Sequence, residues 1–319
     1  MGSVHLRALR ELPGAELAAV CSSDPRQLTG DLTASQGNLG GPGEVFDFSG
    51  VSRYAEVPAL LEDASVEAVD LCLPTHLHEE VAVQALRAGK HVLVEKPMAL
   101  DGDSARRMIA AARDAGRTLM CAQVLRFFPE YKALRDALPR FGAVRGAFLR
   151  RRCAAPAWGG WLRDASLSGG GAFDLLIHDI DMCLHLFGYP KAVSATGGSE
   201  SLLAQLFYDF GAVTVSGGWQ QASAFPFGME YSVTLEGGTI EFRSAGLAPT
   251  AFTATAEPLS VETRDGYAAE IEYFLECCRT GREPERCPPR ESAAAIDLMH
   301  AILGACERNG EKLLCSNPA

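Results

Sequence analysis

The sequence predicts an α/β protein: an N-terminal doubly wound parallel sheet that lacks its first strand, followed by an α+β unit built on a large open mixed sheet. Three observations carry this. As far as Gln123, short apolar runs alternate with helical patterns that stop at glycine. Beyond Gln123 the rhythm changes to successive strand patterns joined by tight turns. At the start, Gly2 leads straight into a helical pattern with no strand before it.

Strands alternating with crossover helices imply parallel pairing. Residues 16–22 form a short apolar strand that ends in Ser22-Ser23-Asp24-Pro25, a strand-to-helix turn. Residues 66–73 (VEAVDLCL), 91–95 and 118–123 give three more strands. The helices between them, at 79–88 and 104–115, are closed by Gly89 and Gly116, glycine being the residue that readily takes the left-handed conformation past a helix end. Residues 29–49, rich in Gly, Ser and other polar residues, read as a surface excursion. In the second unit a helix at 129–138 precedes a strand at 144–151, a Trp/Gly-rich loop and an apolar helix at 172–187. Strand patterns follow at 191–196, 203–210, 213–219, 230–235 and 239–242. Asp209-Phe210-Gly211 and Glu236-Gly237-Gly238 supply turns between them, which favours antiparallel or mixed pairing. Helices at 267–279 and 291–307 close the chain. The division falls at 1–122 and 123–319, and no internal repeat is visible.

With 319 residues, 47% hydrophobic and 22% charged, the chain can bury sizeable cores. Its 29 basic residues against 40 acidic ones give a formal charge of −11, and no basic stripe with interleaved aromatics is present. That argues against nucleic acid as a partner. The apolar runs are too short to span a bilayer and no signal peptide pattern opens the chain, so a cytoplasmic location is expected. Most of the ten cysteines lie within apolar strand or helix patterns and read as reduced thiols. No CxxC or CxxH spacing offers a metal site.

Four clusters carry candidate chemistry. Gly2, before a helix, fits the last glycine of a phosphate-binding GxGxxG, although a lone glycine is weak evidence. Leu73-Pro74-Thr75-His76-Leu77-His78 ends a strand, where parallel sheets bind ligands; Thr75 also serves as an ordinary helix cap there. Glu95-Lys96-Pro97 ends another strand and aims a cation, or a proton donor, at the crevice. The commoner fate of such a lysine is exposure in a turn. The fourth is Gly169-Gly170-Gly171 followed by AFDLLIHDID. Asp174 and His178, four apart, share one helix face and form a candidate acid/base pair. A capping Asp and a half-buried His are the structural alternative, and a metal set with Asp181 or His185 is the least favoured.

The order PTHLH, AGKHVLVEKP, LRFFPEY and GGGAFDLLIHDID resembles the Gfo/Idh/MocA family (glucose–fructose oxidoreductase, inositol dehydrogenase, rhizopine catabolism), over nearly the whole chain. The resemblance implies a Rossmann domain followed by a substrate and oligomerisation domain, and a homo-oligomer, dimer or tetramer. It also implies hydride exchange between a nicotinamide and a secondary alcohol or ketone of a sugar, cyclitol or similar polyol. Carried over, Lys96 contacts substrate and cofactor, Asp174 holds the substrate or orients the base, and His178 takes the hydroxyl proton. Gly2, Ser22, Ser23, Arg26, Leu73, Pro74, Thr75, His78, Glu95 and Lys96 would line the cofactor. Arg126, Trp161 and Arg163 would join Asp174 and His178 at the substrate. Ser22 stands where an acid would meet the ribose of NAD, with Arg26 beside it for a 2′-phosphate, so the reading leans to NADP; Asp24 keeps NAD open. The absent strand motivates an alternative from another class, a cofactor-deficient relative acting as a binding or regulatory protein. A lyase-type relative that uses the nicotinamide only transiently is a third.

Overall fold

The computed structural model describes residues 1–37, 41 and 43–317. The first unit runs α1 (Gly2–Arg10), β1 (Ala19–Cys21), α2 (Pro25–Leu28), β2 (Ser52–Tyr54), α3 (Val57–Glu62), β3 (Ala68–Leu71), α4 (His78–Arg87), β4 (His91–Glu95), α5 (Gly102–Ala115) and β5 (Leu119–Ala122). All its strand pairings are parallel, but they form two separate sheets, β1–β2 and β3–β4–β5. Between β1 and β3 lies a cavity of about 1020 Å³, lined among others by Leu6, Leu9, Val20, Val69, Leu71 and Phe274. Polar side chains, Asp70 and Lys90 among them, share its lining with the apolar ones.

Local signals act as the sequence leads one to expect. Asp101 caps α5 by accepting from the Ser104 N–H at 2.7 Å, and Gly116 closes it in the left-handed conformation. β2 and α3 carry no pattern that the strand and helix rules detect, since Ser52-Arg53-Tyr54 is short and polar. The excursion at 29–49 is partly buried: Leu32, Phe46 and Phe48 form a small apolar cluster against Leu17 and Val20. Its residues 38–40 and 42 lie outside the described residues.

The second unit continues with α6 (Pro129–Ala137), β6 (Val144–Ala154), α7 (Gly160–Arg163), α8 (Ala165–Ser168), a π-helical turn (Ala172–Leu176) and α9 (Ile177–Phe187). Then come β7 (Ala192–Gly197), β8 (Ser201–Tyr208), β9 (Gly211–Gln220), β10 (Gly228–Leu235), β11 (Gly238–Arg243), β12 (Leu247–Phe252) and β13 (Ala256–Pro258). Helices α10 (Gly266–Thr280) and α11 (Pro289–Glu307) and the short β14 (Leu313–Leu314) end it. Its nine strands form one mixed sheet in the order β13-β12-β11-β10-β6-β9-β8-β7-β14, with β6 and β9 parallel at the centre. Helix α9 packs on β6 and β9; α11 packs on α9, β7 and α5, while α10 packs on α1. The closing helices thus bridge the two units. No helix among the described residues is long and apolar enough to cross a membrane.

Two buried ion pairs lock this half. Arg151 Nε donates to Asp179 Oδ2 at 2.8 Å and its Nη2 to the Tyr131 hydroxyl at 3.0 Å. Arg126 donates to both Asp181 oxygens, at 2.7 and 2.6 Å, and to Glu291 at 2.6 Å.

Candidate active site

The site forms where β4 of the first unit meets the π-helical turn of the second. Lys96, one residue past β4, donates from Nζ to the Asp174 carbonyl at 2.6 Å and to Asp174 Oδ1 at 3.1 Å. Trp219, near the end of β9, donates its indole N–H to Asp174 Oδ2 at 3.2 Å. Both carboxylate oxygens are thereby claimed from opposite sides.

The glycines before Asp174 make this approach possible. A Cβ on Gly171 would stand 2.3 Å from the Glu200 carbonyl oxygen and 3.0 Å from the Trp219 ring, and one on Gly170 would stand 2.7 Å from the Ser199 carbonyl. The glycines let the helix start press against β8 and β9, where the Ala172 N–H reaches the Ser199 carbonyl at 2.8 Å.

The expected stacking of Asp174 on His178 needs a correction. The segment begins as a π turn. Asp174 bonds Lys96 and Trp219 instead, while His178 Nδ1 is buried with no hydrogen-bond partner among the described residues. Burial, reinforced by the nearby cations Lys96 and Arg151, pulls the His178 pKa well below its usual value. Its imidazole is neutral at pH 7.

Other expected ligand residues are spent inside the protein. Arg126 is 4% exposed and its guanidinium is held by Asp181, Glu291 and the Arg286 carbonyl. Glu95 is turned inward: Oε1 faces His5 Nε2 at 3.0 Å and Oε2 accepts the Lys96 N–H at 3.0 Å. His78 is wedged between the Pro97 and Leu73 carbonyls, at 3.0 and 2.9 Å. Burial pushes its pKa down against the pull of those carbonyls, so the neutral ring bonds one of them at a time.

The remaining residues differ in exposure. Gly2 opens α1 beside Cys72, at the end of β3. Leu73 and Pro74 are half-buried, and Thr75 is buried at the start of the turn. Ser22 bonds Gln27 at 2.7 Å, Ser23 is exposed, and the exposed Arg26 pairs with Asp24 at 2.9 Å. Trp161 and Arg163 lie on α7, next to α8, which packs on the Thr75–Leu77 turn. No contact of either with Lys96, Asp174 or His178 is found among the described residues.

Sequence reasoning missed Trp219, an apparently ordinary core residue in a strand, and a buried polar cluster around His5. His5 Nδ1 lies 2.7 Å from Asp70 and its Nε2 faces Glu95. Burial alone would lower the His5 pKa, but Asp70 and Cys72 outweigh it and hold the imidazole well above its usual value. Glu270 of α10, fully buried near this cluster, has no hydrogen-bond partner among the described residues, and burial raises its pKa well above normal.

Fold and site together are those of a two-domain oxidoreductase of the nucleotide-binding kind. Residues 1–123 match the oxidoreductase family with an NAD-binding Rossmann fold, GFO_IDH_MocA, and residues 134–240 match the GFO/IDH/MocA C-terminal domain. The chain is 29% identical over 236 residues to D-glucoside 3-dehydrogenase of Escherichia coli, covering 73% of this chain and 61% of that protein. Over 275 residues it is 30% identical to D-xylose 1-dehydrogenase (NADP(+)) 2 of Haloferax volcanii, covering 80% and 83% of the two chains. The crystal structure of aldose-aldose oxidoreductase from Caulobacter crescentus superposes with a TM-score of 0.81 at 23% identity, over 98% of this chain and 95% of that one. The chain belongs to the Gfo/Idh/MocA oxidoreductase family.

Proposed function

We propose that the chain is an NAD(P)-dependent dehydrogenase or reductase that exchanges a hydride with a secondary alcohol, or its ketone, on a sugar, cyclitol or similar polyol. The observation that carries this reading is the junction of Lys96, Asp174 and a neutral His178 at the carboxyl end of β4. Oxidation of a carbinol requires its oxygen to lose a proton as hydride leaves the carbon. A neutral imidazole accepts that proton, and the Lys96 ammonium stabilises the charge developing on oxygen. Asp174 holds Lys96 in place and keeps lone pairs for a substrate hydroxyl. The sugar-directed names of the relatives support the substrate class.

The nicotinamide would supply the hydride acceptor or donor. The residues present fit a dinucleotide: α1 begins without a side-chain cap or an acidic residue in its first turn, so its free N–H groups suit phosphate. Ser22, Ser23 and Arg26, at the end of β1, suit a ribose or its 2′-phosphate, with the lean to NADP that Arg26 supports. Gly2, Leu73, Pro74 and Thr75 are assigned to the cofactor side. Trp161 and Arg163 are assigned to the substrate side. Residues 1–122 form the cofactor domain and 123–319 the substrate domain. The face of the large sheet opposite α9, with Leu203 46% exposed, is the surface for a second copy of the chain.

One observation favours a second reading. The slot between β1 and β3 divides the sheet that should support the phosphates, as expected of a cofactor-deficient binding protein. Thermal-shift titration with NADPH and NADH separates the two. Stabilisation by either, with turnover of a polyol panel that falls about 100- to 10,000-fold in both Lys96→Ala and His178→Asn, supports the dehydrogenase. No shift with either nucleotide on folded protein favours the binding protein. Because His178 titrates well below 6.5, kcat/KM for oxidation is expected to stay level from pH 8 to below pH 6.5 before its acid limb begins. An acid limb centred at or above pH 7 would exclude His178 as the base.

A further inference from the structure

We infer that Trp219 is a positioning residue of the reaction centre: its indole N–H fixes the plane of the Asp174 carboxylate and, through it, the direction of the Lys96 ammonium. The inference rests on the dehydrogenase reading and adds a residue to it.

A buried tryptophan ordinarily finds some partner for its N–H. What sets this one apart is which partner it has. The carboxylate it holds is the one Lys96 grips, so one small group is clamped by donors from two domains, Lys96 after β4 and Trp219 on β9. Trp219 is itself well anchored. It is 4% exposed, packs with Cys153 and Leu175, and its main-chain N–H bonds the Glu200 carbonyl at 2.8 Å. Gly171 adds a second constraint, because any Cβ there would meet the indole ring at 3.0 Å.

The carboxyl torsion of an aspartate is broad and roughly two-fold, so rotamer preference alone does not set its plane. With Oδ1 on Lys96 and Oδ2 on the indole, one plane is selected and the remaining lone pairs take a fixed direction. Remove the indole N–H and Oδ2 loses its partner, the carboxylate is free to turn, and the ammonium keeps only its bond to the Asp174 carbonyl as a fixed anchor.

Trp219→Phe tests this, since it keeps an aromatic ring and removes the donor. Turnover of the best substrate is expected to fall about 10- to 100-fold in kcat, the range for loss of an orienting partner, with nucleotide Kd unchanged. In an Asp174→Asn background the same substitution should add nothing. A further loss in that background, or an unchanged kcat in the single variant, would overturn the assignment. A second measurement needs no turnover. With Trp158→Phe and Trp161→Phe in place, the remaining emission reports Trp219, the chain having three tryptophans. Adding Asp174→Asn should change that emission, whereas identical spectra would refute the contact. If this coupling holds while the wild-type chain turns over no polyol, the dehydrogenase reading fails and the Asp174–Trp219 clamp stands.

Discussion

β6, at the centre of the nine-stranded sheet, is paired along both edges, to β10 and β9, whereas β1 and β3 each turn one edge to a cavity of about 1020 Å³. The same contrast holds for buried charge. In the second unit every buried carboxylate of α9 has its arginine: Asp179 with Arg151 and Asp181 with Arg126. Where α10 packs against the first unit, Glu270 approaches the cluster of His5, Asp70 and Glu95 and has no hydrogen-bond partner among the described residues. The proposed reaction centre lies on the seam, with Lys96 supplied by the divided unit and Asp174, His178 and Trp219 by the continuous one. Lys96 nevertheless follows β4, the middle strand of the three-stranded sheet, so the chemistry hangs on the sound part of the weaker unit.

The largest effect that tests this contrast comes from breaking a completed pair. Arg151→Met leaves Asp179 buried without its cation and is expected to cost about 3–5 kcal/mol of stability, read by urea unfolding. Arg151→Met with Asp179→Leu should recover most of that loss, because removing both charges also removes the desolvation penalty. A single variant as stable as the parent would mean that the second unit does not depend on its ion pairs. Native-state hydrogen exchange should then separate the sheets. Amides of β1 and β2 are expected to open at a free energy about 3 kcal/mol below those of β6 and β9, since open edges and a cavity leave fewer contacts to break. Equal protection would mean that the slot costs the first unit nothing.

The legible features were those set by local chemistry. Helix stops at Gly89 and Gly116 and the successive strands of the large sheet follow from single residues and short strand patterns. What misled was geometry that no spacing encodes. Asp174 and His178 stand four apart, but the glycines ahead of them press the helix start against Glu200 and Trp219, and the turn widens into a π turn. Arg126 has the composition of a substrate contact, yet its partners Asp181 and Glu291 lie 55 and 165 residues away in the chain. Trp219 and His5 became visible only once strands from distant segments set their acceptors beside them.

Glu270 gives the smallest effect and sharpens the contrast most. Its carboxyl is buried without a partner, and burial raises its pKa well above its ordinary value of 4.5. An acid whose pKa rises on folding favours the folded state only in its protonated form. Its contribution is complete below about pH 4.5 and is withdrawn as the pH climbs towards the folded value. Glu270→Gln removes the titration while keeping shape and polarity. The variant should match the parent near pH 4 and exceed it by about 1–2 kcal/mol at pH 7, the scale of an unsatisfied buried group. Urea midpoints measured from pH 4 to pH 8 give the slope directly. A gap that widens with pH places the cost of an unpaired buried charge at the contact of α10 with the first unit. A constant gap, or none, would mean that Glu270 carries no such cost.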